Sequence, residues 1–283
     1  VLMDFAADRP TLLYLPLRAR VEALRMMLHY ARIPFHDVVI SLEDWPKIKP
    51  VMPQGPGAEF PGREKGNRAL PVLRLVTGEM LPESRDIAAW VAAQAGPPLL
   101  PENEVMAAEA FDFFAKSQSL PLFWPTAMLV RFPEQVAEKM MRSEDLGDAQ
   151  FPDPKQTSIR DWYAEQPGWT QVRPMLLHLE QILEARSGQF FGGSQPHYGE
   201  IGVFVSVDAL VTLFGREAAL AGFGQKWHAW YDSMCALPGL EMYWQKRDSQ
   251  QGYPNSIIMN HSDPASRPSA HTTAAKFHGM AKL

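Results

Sequence analysis

At 283 residues and 46% hydrophobic content, the chain is long enough to build one large domain or two ordinary ones around a sizeable core. A formal net charge of −5 provides no field that would gather polyanions, so nucleic acid is not an expected partner. No run of about eighteen apolar residues occurs, so no membrane span is expected, and the single cysteine, Cys235, excludes an intrachain disulfide. Eight histidines are scattered along the chain, and His261, His271 and His278 lie too far apart to suggest a zinc site.

The first elements are a strand and a helix separated by a proline. Thr11 to Leu15 is a short apolar, β-prone run; Pro16 interrupts it; from Arg18 onward Val21, Leu24, Leu28 and Ala31 recur at helical spacing. Tyr14 therefore falls at the carboxyl end of a strand, the end at which open α/β sheets hold ligands. After the break at Ile33-Pro34, Phe35 to Ile40 is a second strand, which completes a right-handed βαβ unit. Trp45 to Lys49 reads as a short helical turn. Pro50 to Arg68 holds four prolines and four glycines without apolar periodicity, a loop longer than most connections in compact domains.

Leu70 to Val76 is a third strand, and Thr77-Gly78 is the turn of a hairpin into Glu79, Met80 and Leu81. Ser84 is placed to cap a helix that buries Ile87, Trp90 and Val91. The order βαβ then ββα is the thioredoxin-like arrangement, which gives an N-terminal domain over residues 1–95. The proline-rich stretch Gly96 to Pro101 is a stiff linker. Beyond it only helical periods occur, predicting an all-helical domain over 102–247. It opens with Val105, Ala108, Phe111 and Ala115, and its clearest later helix carries Leu176, Leu179, Ile182 and Leu183, closed by Ser187-Gly188. Residues 133–170, rich in Pro, Asp and Gln, read as an insertion. Tyr198 to Phe214 is apolar enough for a helix buried on every side, and 248–283 reads as an extended tail.

Four strings, in order, carry a resemblance. Tyr14-Leu15-Pro16-Leu17-Arg18-Ala19-Arg20-Val21-Glu22, Asp44-Trp45-Pro46-x-Ile48-Lys49, Leu70-Pro71-Val72-Leu73 and Glu83-Ser84-Arg85-x-Ile87 resemble the tyrosine-type glutathione transferases. The sigma class, with its prostaglandin D synthases, is the most similar, although Glu-Ser-Arg is closer to delta- and theta-like members and Asp86 replaces the usual alanine. Redox relatives of the fold place a cysteine where Pro16, Leu17 and Arg18 stand here. In the family the link between residues 50 and 68 is only a few residues, so this stretch is an insertion beside the site. The family also begins its central C-terminal helix with a Ser/Thr-x-x-Asp capping box, where this chain has His197 and Glu200.

The resemblance implies glutathione as co-substrate, a hydrophobic electrophile as second substrate and a homodimer. Tyr14 matches the catalytic tyrosine, whose hydroxyl donates to the glutathione sulfur; Arg20 contributes to the site or pairs with an acid. Trp45 and Lys49 match residues that hold the glycyl end, by packing and by charge. Leu70, ahead of a cis Pro71, presents backbone groups to the cysteinyl part. Ser84 offers donors to the γ-glutamyl carboxylate and Glu83 faces its ammonium. Asp112 stands about where an acid crosses the dimer to the neighbouring glutathione. The second-substrate pocket is expected among Leu15, Pro16, Phe123 and Trp124. A different reading is a catalytically silent subunit of a larger assembly, favoured by the two insertions and the tail. The resemblance places the protein in the cytoplasm. Ala281-Lys282-Leu283 resembles a peroxisomal address, and removal of a mitochondrial targeting peptide is a further option.

Overall fold

The computed structural model describes residues 8–15, 19–40, 44–55, 68–118, 167–214 and 216–244. The expected tail, Phe123 and Trp124, Pro16 and most of both insertions lie outside the described residues.

A four-stranded mixed sheet forms the N-terminal unit, in the order β2-β1-β3-β4. β1 (Thr11–Tyr14) pairs in parallel with β2 (His36–Val39) and antiparallel with β3 (Val72–Arg74), which pairs antiparallel with β4 (Met80–Pro82). The parallel pair is joined by α1 (Ala19–Tyr30), as the βαβ spacing requires. All four residues of β1 are buried because it is an inner strand with neighbours on both sides. The β3–β4 turn closes through Leu75 N–H to Glu79 O at 2.8 Å and Gly78 N–H to Leu75 O at 2.9 Å, with Gly78 at φ +88°. β1, β2 and β3 are shorter than their apolar runs, with flanking residues such as Leu70 packing on the core without joining the ladder.

α2 (Trp45–Ile48) runs into a 3₁₀ turn at Lys49–Val51, and α3 (Ser84–Ala95) follows β4. Ser84 does not cap that helix: the cap position belongs to Glu83, held at φ 70°, with no side-chain cap hydrogen bond, while Ser84 is the first helical residue and is buried. The buried face of α3 is Ile87, Ala88, Val91 and Ala92; Trp90 is only half-buried.

The helical unit holds α4 (Glu104–Gln118), α5 (Pro167–Ala185), α6 (Tyr198–Phe214), the single turn α7 (Arg216–Ala219) and α8 (Gln225–Cys235). The face of α4 differs from the sequence expectation. Val105 and Phe111 are 77% and 41% exposed, and Ala110, Phe113, Phe114 and Ser117 turn inward instead. The reason is the approach of α6. A Cβ on Gly199 would meet the Ala110 carbonyl oxygen at 2.0 Å, and one on Gly202 would meet Ser117 Oγ at 2.5 Å, so two glycines let α6 lie directly on that side of α4. Phe111 is left outside with the Arg85 guanidinium 5.4 Å from its ring centre.

The start of α6 resolves its altered capping box. His197 Nδ1 accepts the Glu200 N–H at 3.1 Å, so a ring nitrogen replaces the missing hydroxyl. The Glu200 carboxylate takes a backbone hydrogen bond from His197 in return. It accepts the Phe191 N–H at 3.0 Å and the Trp230 indole N–H at 2.6 Å, tying the preceding turn and α8 to α6. Contact between the two units runs through α1, which packs on α6, and through α3, which packs on both α4 and α6. Across it, Tyr243 O–H donates to Glu22 Oε1 at 2.6 Å, while Arg25 bridges Glu22 Oε2 at 3.2 Å and Asp37 Oδ2 at 2.9 Å.

Candidate active site

Tyr14 owes its position to two constraints. As the last residue of β1 it is fixed by pairing with Val39, and its carbonyl accepts the Ile40 N–H at 2.7 Å. Its ring is 2% exposed, buried in the core while bordering an open cleft. That cleft encloses about 240 Å³ and is lined by Tyr14, Leu15, Arg20, Trp45, Arg68, Ala69 and Leu70.

Five short elements deliver these groups: the end of β1, the start of α1, the start of α2, Arg68, and the approach to β3. Trp45 opens α2, where the Asp44 backbone oxygen accepts the Lys47 and Ile48 N–H groups and Pro46 fills an early helical position that needs no donor. Buried Asp44 also accepts Lys47 Nζ at 3.0 Å, which steadies the turn. The Leu70–Pro71 peptide bond is cis. Leu70 is 8% exposed and sits at the cleft wall immediately ahead of β3.

The sequence-predicted residues fall into three groups. Tyr14, Arg20, Trp45 and Leu70 meet at the cleft. Pro71, Glu83 and Ser84 lie next to the sheet: Pro71 adjoins Leu70, and Glu83 with Ser84 joins β4 to α3. Lys49 and Asp112 do not line the cleft. Lys49 is exposed in the 3₁₀ turn, and Asp112 is exposed on α4, paired with Lys116 Nζ at 2.6 Å.

Arg68 and its neighbour Ala69 are the lining residues that sequence reasoning missed, and Arg68 is the charged one. Its Nε donates to the Met52 carbonyl at 2.8 Å, closing the chain from Met52 to Arg68 at its base. The signal was faint: one cation directly ahead of Ala69-Leu70-Pro71, after a stretch with no periodicity to fix its direction. With Arg20 it gives the cleft two guanidinium groups and no carboxylate among its lining residues. A phenol, an indole and two guanidinium groups around a partly apolar cleft suit a small anionic ligand.

No family model matches the chain. A glutathione S-transferase of Anopheles gambiae is 35% identical over 83 residues, covering 29% of this chain and 34% of that protein. The class-mu 28 kDa glutathione S-transferase isozyme of Schistosoma mansoni is 42% identical over 50 residues, 18% of this chain and 24% of that one. The chain thus spans about a third or less of the length of these curated relatives. Solved structures extend the likeness to most of the chain. A monomeric glutathione S-transferase from the hookworm Necator americanus superposes with a TM-score of 0.62 at 16% identity, over 84% of this chain and 97% of its own. The prostaglandin synthase D of Nilaparvata lugens does so with a TM-score of 0.56 at 19% identity, over 84% and 98%.

The class defined by the sheet, the helical unit and the cleft at the end of β1 is therefore the glutathione transferase fold: a thioredoxin-like domain followed by an all-helical one. Curated glutathione S-transferases match over less than a third of the chain, and solved ones match across both units. Among the described residues no group of three or more His, Cys, Asp or Glu could hold a metal, and no helix is long and apolar enough to cross a membrane.

Proposed function

We propose that this protein is a tyrosine-type glutathione transferase, most similar in its first helix to the sigma class, which uses Tyr14 to hold the glutathione sulfur as a thiolate. The observation that carries the reading is the meeting of Tyr14, Arg20, Trp45 and Leu70 around one cleft, with a cis proline following Leu70.

A free thiol titrates near 8.5, so about 3% of it is anionic at pH 7. The Tyr14 hydroxyl donates to the sulfur and keeps its own proton; lowering the thiol by two units raises the anionic share to about 75%, at ~1.4 kcal/mol per unit. The start of α1 adds positive potential on the same side. Leu70 backbone groups hold the cysteinyl amide in register, and Trp45 packs on the glycyl end. Ser84, with the first N–H groups of α3, receives the γ-glutamyl carboxylate, and Glu83 faces the ammonium. Leu15 offers apolar wall to a hydrophobic electrophile. The sulfur lone pair attacks that electrophile's carbon, a bond to the leaving group breaks, and the product is a thioether. In the isomerase variant the thiolate opens a reactive lipid and is released unchanged. Bringing sulfur and carbon together supplies the remaining acceleration. Asp112, exposed on α4, takes part only across a homodimer. A cytoplasmic location accompanies this reading.

Retention on immobilised glutathione and turnover of model electrophiles test the proposal. Wild type is expected to bind and conjugate, and Tyr14→Phe to bind with kcat/KM reduced by roughly 10- to 100-fold, the value of one hydrogen bond to a charged group. If wild type neither binds nor turns over where a control transferase does, the silent-subunit reading replaces this one.

A further inference from the structure

We propose that Arg68, rather than Lys49, is the cationic anchor for the glycyl carboxylate of the bound tripeptide; this rests on the glutathione reading above. Three observations carry it. Arg68 is half-buried in the wall of the cleft that holds Tyr14 and Trp45, whereas Lys49 is exposed and lines none of it. The Arg68 Nε donates to the carbonyl of Met52, a residue only 2% exposed, so the guanidinium is tethered to a buried part of the fold. That bond is the only hydrogen bond or ion pair Arg68 makes among the described residues, and it leaves both terminal amino groups available.

A guanidinium held by its Nε presents its two remaining nitrogens as a fork, the geometry that pairs with both oxygens of a carboxylate. A flexible lysine on the surface delivers only a point charge and must order its long side chain on binding. Pre-orientation by Met52 removes most of that ordering cost from Arg68. The consequence is selectivity for the length and terminal charge of the ligand. A γ-glutamyl dipeptide that ends at the cysteine stops short of Arg68, and an esterified glycine reaches it without charge.

Calorimetric titration with glutathione and with its glycyl monoethyl ester separates the possibilities, using the full chain and its Arg68→Gln and Lys49→Ala variants. Glutamine keeps an amide donor for the Met52 carbonyl while removing the cation. Wild type and Lys49→Ala are expected to favour glutathione over the ester by about 10-fold or more. Arg68→Gln is expected to bind both ligands as weakly as wild type binds the ester. An Arg68→Gln protein that keeps the wild-type preference overturns the assignment, and loss of that preference in Lys49→Ala transfers the role to Lys49. Wild type that favours neither ligand while binding both excludes any anchor at this end. Failure of wild type to bind glutathione at all removes the underlying reading together with this one. Should Arg68→Gln not fold, Arg68→Lys decides: it cannot bond Met52 and fork the carboxylate together, so the preference falls several-fold, and an unchanged preference overturns the proposal.

Discussion

Glu22 on α1 and Glu200 on α6 are both wholly buried, and each lies in the first turn of its helix, yet their surroundings differ in kind. Glu22 has a counter-charge: Arg25 lies 3.2 Å away and also pairs with Asp37 on β2, and Tyr243 donates from the far side. Glu200 has no cation partner among the described residues and is held by neutral dipoles, from Phe191, Gly192, Trp230 and the His197 backbone. Burial pushes its carboxyl up to about 8 against the pull of those donors. One acid is paired by charge within its own unit and tied to the other unit by a phenol hydrogen bond, and the other organises a single unit through neutral donors alone. A buried carboxylate can specify geometry by either route, and the second makes stability depend on pH near neutrality.

The largest expected effect is at the charged hub. Arg25→Ala leaves Glu22 and Asp37 without the shared cation in a buried site, and chemical denaturation is expected to show a loss of about 3–5 kcal/mol. A loss below 1 kcal/mol would mean that the two hubs are not different in kind.

The neutral hub is expected to give a smaller effect with a sign that varies with pH. The folded protein holds the Glu200 proton between 4.5 and about 8 while the unfolded chain has released it, so this group lowers stability as pH rises through that window. His197 works oppositely. Burial, and after it the charge of Arg186, brings its imidazole down from 6.5 to about 4, so stability from this group rises with pH between those values. The slopes oppose each other between about 4.5 and 6.5, and Glu200 acts alone above. From pH 6.5 to 8 wild type is expected to lose ~2 kcal/mol, at ~1.4 kcal/mol per unit, and Glu200→Gln to lose almost none of it. Parallel profiles for the two proteins would contradict the assignment.

The smallest effect sharpens the contrast between buried and exposed pairs. Asp112 and Lys116 stand one helical turn apart on the solvent side of α4. Lys116→Ala is expected to change the midpoint of denaturation by no more than about 0.5 kcal/mol, and that little should vanish in high salt.

These same hubs mark how far the sequence could be read. The sheet and its first helices were legible because each signal is local: an apolar run, a proline, a Thr-Gly turn, four motif strings within ninety residues. Tyr14, Trp45 and Leu70 inherited that legibility. The pairing of Glu22 with Tyr243 was not legible, since 221 residues separate them and neither residue type alone predicts the other. The inward face of α4 was misread because apolar spacing pointed to Val105 and Phe111, whereas two glycines on α6 decide which side is covered. His197 looked like a lost cap because the usual pattern asks for a hydroxyl, and a neutral imidazole nitrogen accepts the same N–H. Arg68 was passed over because chain direction after a proline- and glycine-rich stretch cannot be derived from periodicity; the Met52 carbonyl fixes it.

Titrating the thiol of bound glutathione, followed by the ultraviolet absorbance of the thiolate in wild type and in Tyr14→Phe, tests the central claim most directly. The phenol at the end of β1 is expected to hold the wild-type thiol at least one unit below the free value of about 8.5, and its removal is expected to return the thiol most of the way. Equal midpoints in the two proteins, with glutathione bound to both, would contradict a role for Tyr14 in making the nucleophile.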